Sequence, residues 1–323
     1  MKLVNHSSKI VITGGSGFLG RHLLNNGAFN EALAIGRTQP NNHQIFKKVS
    51  FDEDDALAEV FIDKEVVVHL AARAHVMNDA SANPLESYRQ VNTVGTLNLA
   101  KYAAISGVKR FIFISTIKVL GEKTEPGQAF RSDDPYNPKD PYSVSKVEAE
   151  TELRAIGKAY GMEVIIIRPP LVYGQGVKGN FASLIKVAQF PIPLPFGSIR
   201  NKRSLVSVEN LVDLIVTCLN HPNAGDQTFL VSDDDDMSTP MLFSRLCEAG
   251  LYKNNIFIFP ESILYFVLKV LGKSKIYERL CGSMQVDIEH TKKQLDWKPP
   301  FGVRDSMRSC WSLNNLHEKG RQK

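Results

Sequence analysis

The chain is poor in cysteine. Four occur in 323 residues, Cys218, Cys247, Cys281 and Cys310, far apart and with no CxxC pair. That usage points away from a disulfide framework and toward a reduced, cytoplasmic protein. Long apolar runs are also missing. The first nine residues have no apolar signal-peptide core. The most apolar stretch, residues 256–271, is broken by Pro260, Glu261 and Lys269. It falls short of the roughly 20 apolar residues of a membrane span. A buried or pocket-covering helix is expected there, with membrane-surface contact as the alternative and no stable insertion. Charge of one sign is scarce, with 39 Lys+Arg against 34 Asp+Glu and a net charge of +5. Without a basic block, nucleic acid is disfavoured as main partner, whereas an anionic small molecule suits the balance. The eight histidines show no HExxH or other ligand spacing, so no metal is expected. Internal repeats and low-complexity segments are absent. With 43% hydrophobic and 23% charged residues, the composition excludes disordered and fibrous classes.

What is present is an alternation. Residues 10–13, 32–35, 66–70, 111–115 and 164–168 are short, β-branched-rich apolar runs that read as buried strands. Longer segments such as 87–106 carry apolar residues at helical spacing. This order implies parallel strands with crossover helices: an α/β fold with a Rossmann-type doubly wound sheet. After Arg168-Pro169-Pro170 the texture changes. Prolines cluster at Pro191, Pro193 and Pro195, and helices at 208–220 and 240–250 dominate. A boundary near 170 is therefore expected, with residues 1–170 forming the sheet domain and 171–323 a smaller, mostly helical substrate lobe. One or two later segments are free to return to the sheet. The ligand cleft belongs at the carboxyl ends of the strands.

The segment TGGSGFLG at 13–20 puts Gly14, Gly17 and Gly20 directly after the first strand. Gly14 allows a tight turn, Gly17 admits a pyrophosphate to the backbone, and Gly20 permits close helix–sheet packing. Phe18 and Leu19 open the helix whose unpaired N–H groups favour an anion, and they count with the cofactor loop. The second strand lacks the usual terminal acid and ends in Arg37. An arginine suits a ribose 2′-phosphate, so the cofactor is NAD or NADP, with NADP(H) slightly favoured. Asp52 reads either as a contact for the adenine amino group or as a plain loop acid.

The segment YSVSK at 142–146 sits where a helix should begin, with Asp140 as N-cap and Pro141 at the first position. Tyr142 and Lys146 then share one face. A nearby cation lowers a phenol's pKa, making Tyr142 an acid/base for a sugar hydroxyl or ketone. Thr116, at the end of the 111–115 strand, is placed to orient the reacting oxygen. A second match, YFVLK at 265–269, has no strand end beside it, and Tyr265 is expected to pack in a core. His69 reads as a strand-end packing residue, His75 as a weak substrate contact. The four aspartates Asp233–Asp236 read as a solvated turn before a helix start at Ser238.

Together with HLAA at 69–72, NTVGT at 92–96, RPPLVYG at 168–174, RSLVSVENLVD at 203–213 and LDWKP at 295–299, these motifs resemble the extended short-chain dehydrogenase/reductases. More narrowly they resemble the nucleotide-sugar epimerase/dehydratase branch, across nearly the whole chain. The resemblance implies Thr116, Tyr142 and Lys146 as catalytic residues, and Ala71, Ala72, Asn92 and Pro169 in the cofactor pocket. It implies Asn180, Phe196, Arg203 and, less securely, Arg279 as nucleotide-sugar contacts. Two departures stand out: IKVLGE at 117–122 replaces the Val-Tyr-Gly of many 4-epimerases, and Arg37 replaces the ribose-binding acid. The implied activity is hydride transfer at C4 of a UDP-hexose. Reduction of a 4-keto-6-deoxy-N-acetylhexosamine for surface polysaccharide synthesis is favoured over a UDP-glucose or UDP-N-acetylglucosamine 4-epimerase. Sugar 4,6-dehydration ranks third, because Ile117-Lys118 offers no acid after Thr116. A non-catalytic NAD(P)-binding regulator is the reading from another class. A homodimer is the family expectation.

Overall fold

A computed structural model of the chain describes residues 7–41, 43–74, 83–125 and 127–311. His75 and the basic end 319–323 lie outside them. Nine strands are described: β1 (Ile10–Thr13), β2 (Leu33–Gly36), β3 (Phe46–Lys48), β4 (Val66–His69), β5 (Arg110–Ile114), β6 (Glu163–Arg168), β7 (Leu171–Tyr173), β8 (Leu205–Ser207) and β9 (Thr228–Leu230). Seven form one parallel sheet in the order β3-β2-β1-β4-β5-β6-β9, and β7 pairs with β8 in a second small sheet.

Both faces of the large sheet are covered, which is why its strands read as continuous apolar runs. Successive residues point to opposite faces. Ile10, Ile12, Ile112, Ile165 and Ile167 enter one core, with Leu23, Leu211 and Ile215. Val11, Phe111, Phe113, Val164 and Ile166 enter the other, with Leu57, Leu99 and Leu153. A third cluster, around Tyr173, Phe181, Leu205, Phe243 and Trp311, is built by the later chain.

The five strands read from sequence lie at the centre of this sheet. The three-residue strands β3, β7, β8 and β9 had no signal long enough to stand out. Of these, β9 returns from beyond residue 170 to pair with β6 through Ile166–Thr228 and Ile167–Phe229. Strand order reverses between β1 and β4, so the crevice opens where Thr13 and His69 end their strands.

The four aspartates differ from expectation. Asp233 is buried and accepts from Tyr173 Oη (2.6 Å), Ser207 N and Asn210 Nδ2. Asp234 pairs with Lys292, and Asp235 with Arg245. A turn whose acids each find a partner ties the later chain together and is not simply solvated. Ser238 does cap the helix Thr239–Ala249, accepting from Met241 N. Tyr265, expected in a core, is exposed, stacking edge-on with Tyr277 beneath Lys269. Among the described residues no helix is long and apolar enough to cross a membrane.

Candidate active site

The glycine turn follows β1 directly. Gly14 has φ +72°, and a Cβ there would lie 2.7 Å from Ala71 N, so only glycine fits between the ends of β1 and β4. A Cβ on Gly20 would strike the Gly14 carbonyl, which fixes how closely helix Phe18–Leu24 approaches the turn. Gly17 N donates to Gly14 O at 3.0 Å, closing the loop. Phe18 and Leu19 begin the helix and pack their side chains on the core.

A cavity of about 1000 Å³ opens beside this loop. Gly14, Gly17, Arg37, Asp52, Ala71 and Ala72 line it. Arg37 and Asp52 are both exposed at its wall. Asp52 accepts from Ser50 Oγ, and that bond holds its carboxyl below the usual range. A cavity of this size, floored by a turn that admits no side chain, fits a dinucleotide.

Asn92 and Pro169 act differently from wall residues. Asn92 is fully buried; its amide oxygen accepts from Arg73 N (2.8 Å) and its nitrogen donates to Arg73 O and Ser145 Oγ. It ties the chain after β4 to the helix carrying Tyr142. Pro169 is buried and its carbonyl accepts from Ile117 N, fixing the turn after Thr116. His69 is a buried strut, with Thr13 Oγ1 on Nδ1 (2.8 Å) and Thr96 Oγ1 on Nε2 (2.9 Å). Burial first, then the charge of Lys146, drives its pKa down to about 3, so it is neutral.

Helix Pro141–Tyr160 begins as the sequence implies. Asp140 caps it, accepting from Ser143 N (2.7 Å), while Ser143 Oγ accepts from Asp140 N. Lys118 Nζ reaches the same carboxylate at 2.8 Å. Burial works against that charge, but Lys118 and the Ser143 N–H outweigh it and keep Asp140 below its ordinary range.

Tyr142 stands in the first turn, half-buried, with the Tyr88 ring edge-on at 6.0 Å. One turn further, Lys146 is buried and donates to Ile114 O at 2.7 Å, at the end of β5. Its ammonium also lies 4.0 Å from the centre of the Phe113 ring. Thr116 follows, half-buried, its hydroxyl accepting from Lys118 N. Lys146 and Thr116 thus stand at the carboxyl end of β5, with Tyr142 one helical turn before Lys146. The electrostatics differ from the simple expectation of a lysine-lowered phenol. Burial, then Asp140 and Tyr88, push the Tyr142 phenol up, while burial pulls Lys146 down to about 7 against the opposing pull of Glu150. In this arrangement the phenol is held protonated, and the lysine's charge is engaged by the Ile114 carbonyl and the Phe113 face.

In the later chain, Arg203 is held by paired backbone bonds with Met237, and its guanidinium donates to Arg279 O. Residues 76 positions apart are thereby joined, with Arg279 exposed on helix Ser274–Cys281. Burial lowers the Arg203 pKa. Phe196 is half-buried in the turn after Leu194, and Asn180 lies in the first turn of helix Gly179–Ala188.

The model of the NAD-dependent epimerase/dehydratase family matches residues 10–232, which span both the glycine turn and this cluster. The chain belongs to that family. UDP-glucose 4-epimerase of Vibrio cholerae is 48% identical over 309 residues, 93% of each chain. Among solved structures, UDP-glucose 4-epimerase of Thermotoga maritima with UDP-glucose superposes with TM-score 0.74 at 20% identity, covering 97% of this chain and 99% of that one. RMD from Pseudomonas aeruginosa complexed with NADPH gives 0.71 at 21% identity, covering 96% and 99%. These two likenesses show the fold.

Within this epimerase/dehydratase chain, sequence reasoning passed over a buried network behind helix Pro141–Tyr160. Glu150, four residues beyond Lys146, accepts from Ser115 Oγ, Tyr136 Oη (2.9 Å) and Arg168. The four-residue spacing Tyr142–Lys146–Glu150 was available as a signal; the partners, drawn from three other segments, were not. Lys118, noted only as a departure from the family wording, anchors the helix cap.

Proposed function

We propose that the protein is a UDP-hexose 4-epimerase. What supports this is Lys146 bonded at the carboxyl end of β5, with Thr116 following that strand and Tyr142 one helical turn before Lys146, at the edge of the sheet where the glycine turn opens a cavity that fits a dinucleotide. A nicotinamide, when bound, supplies a reversible two-electron acceptor for the C4–H bond. Thr116 orients O4, and Tyr142 gives or takes the O4 proton. Lys146, buried one helical turn beyond Tyr142, tunes the phenol. Arg203 and Arg279 grip the diphosphate, Phe196 packs the base and Asn180 meets the phosphates. Residues 1–170 hold the coenzyme and 171–323 the sugar nucleotide, apart from β9 and helix Val208–Asn220, which return to the large sheet. The protein works in the cytoplasm as a homodimer.

Arg37 by itself favours a 4-keto-6-deoxy-N-acetylhexosamine reductase using NADPH. The 48% identity to the Vibrio cholerae 4-epimerase moves the weight to epimerisation. Arg37 in the cavity wall keeps reduction as the second reading. The test is to purify the protein and identify its retained coenzyme. Bound NAD, with interconversion of UDP-hexoses in the absence of added coenzyme, is expected. Stoichiometric NADPH consumption with a UDP-4-keto sugar, and no interconversion, would replace the epimerase with the reductase.

A further inference from the structure

Helix Glu261–Val270 turns an apolar face outward, against the expectation of a buried helix. Leu264 is buried and Leu268 half-buried, four residues apart, and these face the protein. Ile263, Phe266, Val267 and Val270 recur at the spacing that shares one side of a helix. All four are exposed, Phe266 at 66% and Val270 at 69%. Ile258, 83% exposed, and Leu271 and Ile276, in the flanking segments, are exposed as well. Soluble surfaces rarely present so many neighbouring large apolar side chains without a partner.

Its rim is basic. Lys269 and Lys273 are exposed at the helix end, and Arg279 is exposed on the helix that follows. Residues 253–279 hold Lys253, Lys269, Lys273, Lys275 and Arg279 against Glu261 and Glu278. Glu261 is already engaged by Tyr277 Oη at 2.8 Å. An outward apolar stripe rimmed by cations is the pattern that lies in a lipid headgroup interface. No described helix can span a bilayer, so attachment through this face is peripheral.

We propose that this face docks the protein on an anionic bilayer surface. The apolar stripe enters the boundary between headgroups and acyl chains, while the lysines meet lipid phosphates. A second copy of the chain is a poorer occupant, because two-fold pairing would press the basic rim against itself. Arg279 of this rim lies on helix Ser274–Cys281, and its carbonyl accepts from Arg203.

The test is flotation of the full-length protein with vesicles of equal parts phosphatidylglycerol and phosphatidylcholine, and with phosphatidylcholine alone. The wild type is expected to float with the anionic vesicles and to be released by high salt. Phe266→Ser/Val270→Ser should weaken that binding about tenfold or more, and Lys269→Glu/Lys273→Glu should abolish the preference for anionic lipid. Circular dichroism and coenzyme retention verify that both variants fold. Wild type left unbound by either vesicle, or variants floating as it does, overturns the proposal. So does sedimentation showing that Phe266→Ser/Val270→Ser splits an oligomer, which assigns the face to a second copy.

Discussion

Arg168 grips Glu150 through Nε and Nη2, the shortest contact 2.6 Å, and both side chains are sealed from solvent. The pair fastens the end of β6 to the helix that carries Tyr142 and Lys146. Such a pair adds little net stability over apolar residues, yet removing one partner strands the other's charge. Glu150→Gln should therefore cost about 3–5 kcal/mol in urea unfolding. Glu150→Met/Arg168→Met should recover much of that loss. A near-neutral Glu150→Gln would mean that the guanidinium finds water instead.

Tyr142→Phe should keep the coenzyme and lose turnover by about 10²–10⁴-fold, the usual worth of a general acid/base. Coenzyme content by absorbance and sugar interconversion by chromatography check it. Full activity in this variant would remove the phenol from the chemistry. Loss of coenzyme would make it a binding residue. Unchanged biological function despite lost turnover would point to the non-catalytic regulator.

Asp140→Ala removes the cap of helix Pro141–Tyr160 and should cost about 1 kcal/mol. Lys118→Met leaves the cap in place and should cost less, while letting the Asp140 carboxyl titrate closer to its ordinary range. Thermal melts at neutral pH rank the two. The opposite order would make Lys118, not the cap, the anchor of the helix.

Gly14→Ala meets two obstacles at once: a φ of +72° and a methyl pressed on Ala71 N. Strain of this kind costs on the order of 1–3 kcal/mol. The displaced turn should also lose coenzyme retention, read by absorbance of the purified protein. Wild-type coenzyme content in Gly14→Ala would show that the turn does not form the cradle.

His69 is buried neutral with a pKa of about 3. Between that value and the unfolded value near 6.5, the unfolded chain binds the extra proton, so stability falls as pH falls. The slope from this one group is about 1.4 kcal/mol per pH unit. Urea unfolding from pH 6.5 down to 4 should show the decline, and His69→Gln should flatten it. An unchanged slope in His69→Gln would place the acid sensitivity elsewhere.

The sequence by itself determined the central strands, the glycine turn and the start of helix Pro141–Tyr160. Each rests on local physics: β-branched runs buried on both faces, a φ open only to glycine, and a cap three residues from its N–H. Tyr142 and Lys146 were legible for the same reason, since helical spacing places them on one face. Other features needed the fold. Strand β9 gains its stability from β6, some 60 residues earlier, and three residues carry no pattern of their own. Glu150 reads as an ordinary helix acid until Ser115, Tyr136 and Arg168 converge on it. The apolar stretch at 256–271 suggested a buried or pocket-covering helix, but which side of it meets the protein depends on what packs there. Only the tertiary structure could turn Leu264 inward and Phe266 to solvent, because burial is decided by contacts between segments and periodicity is decided within one.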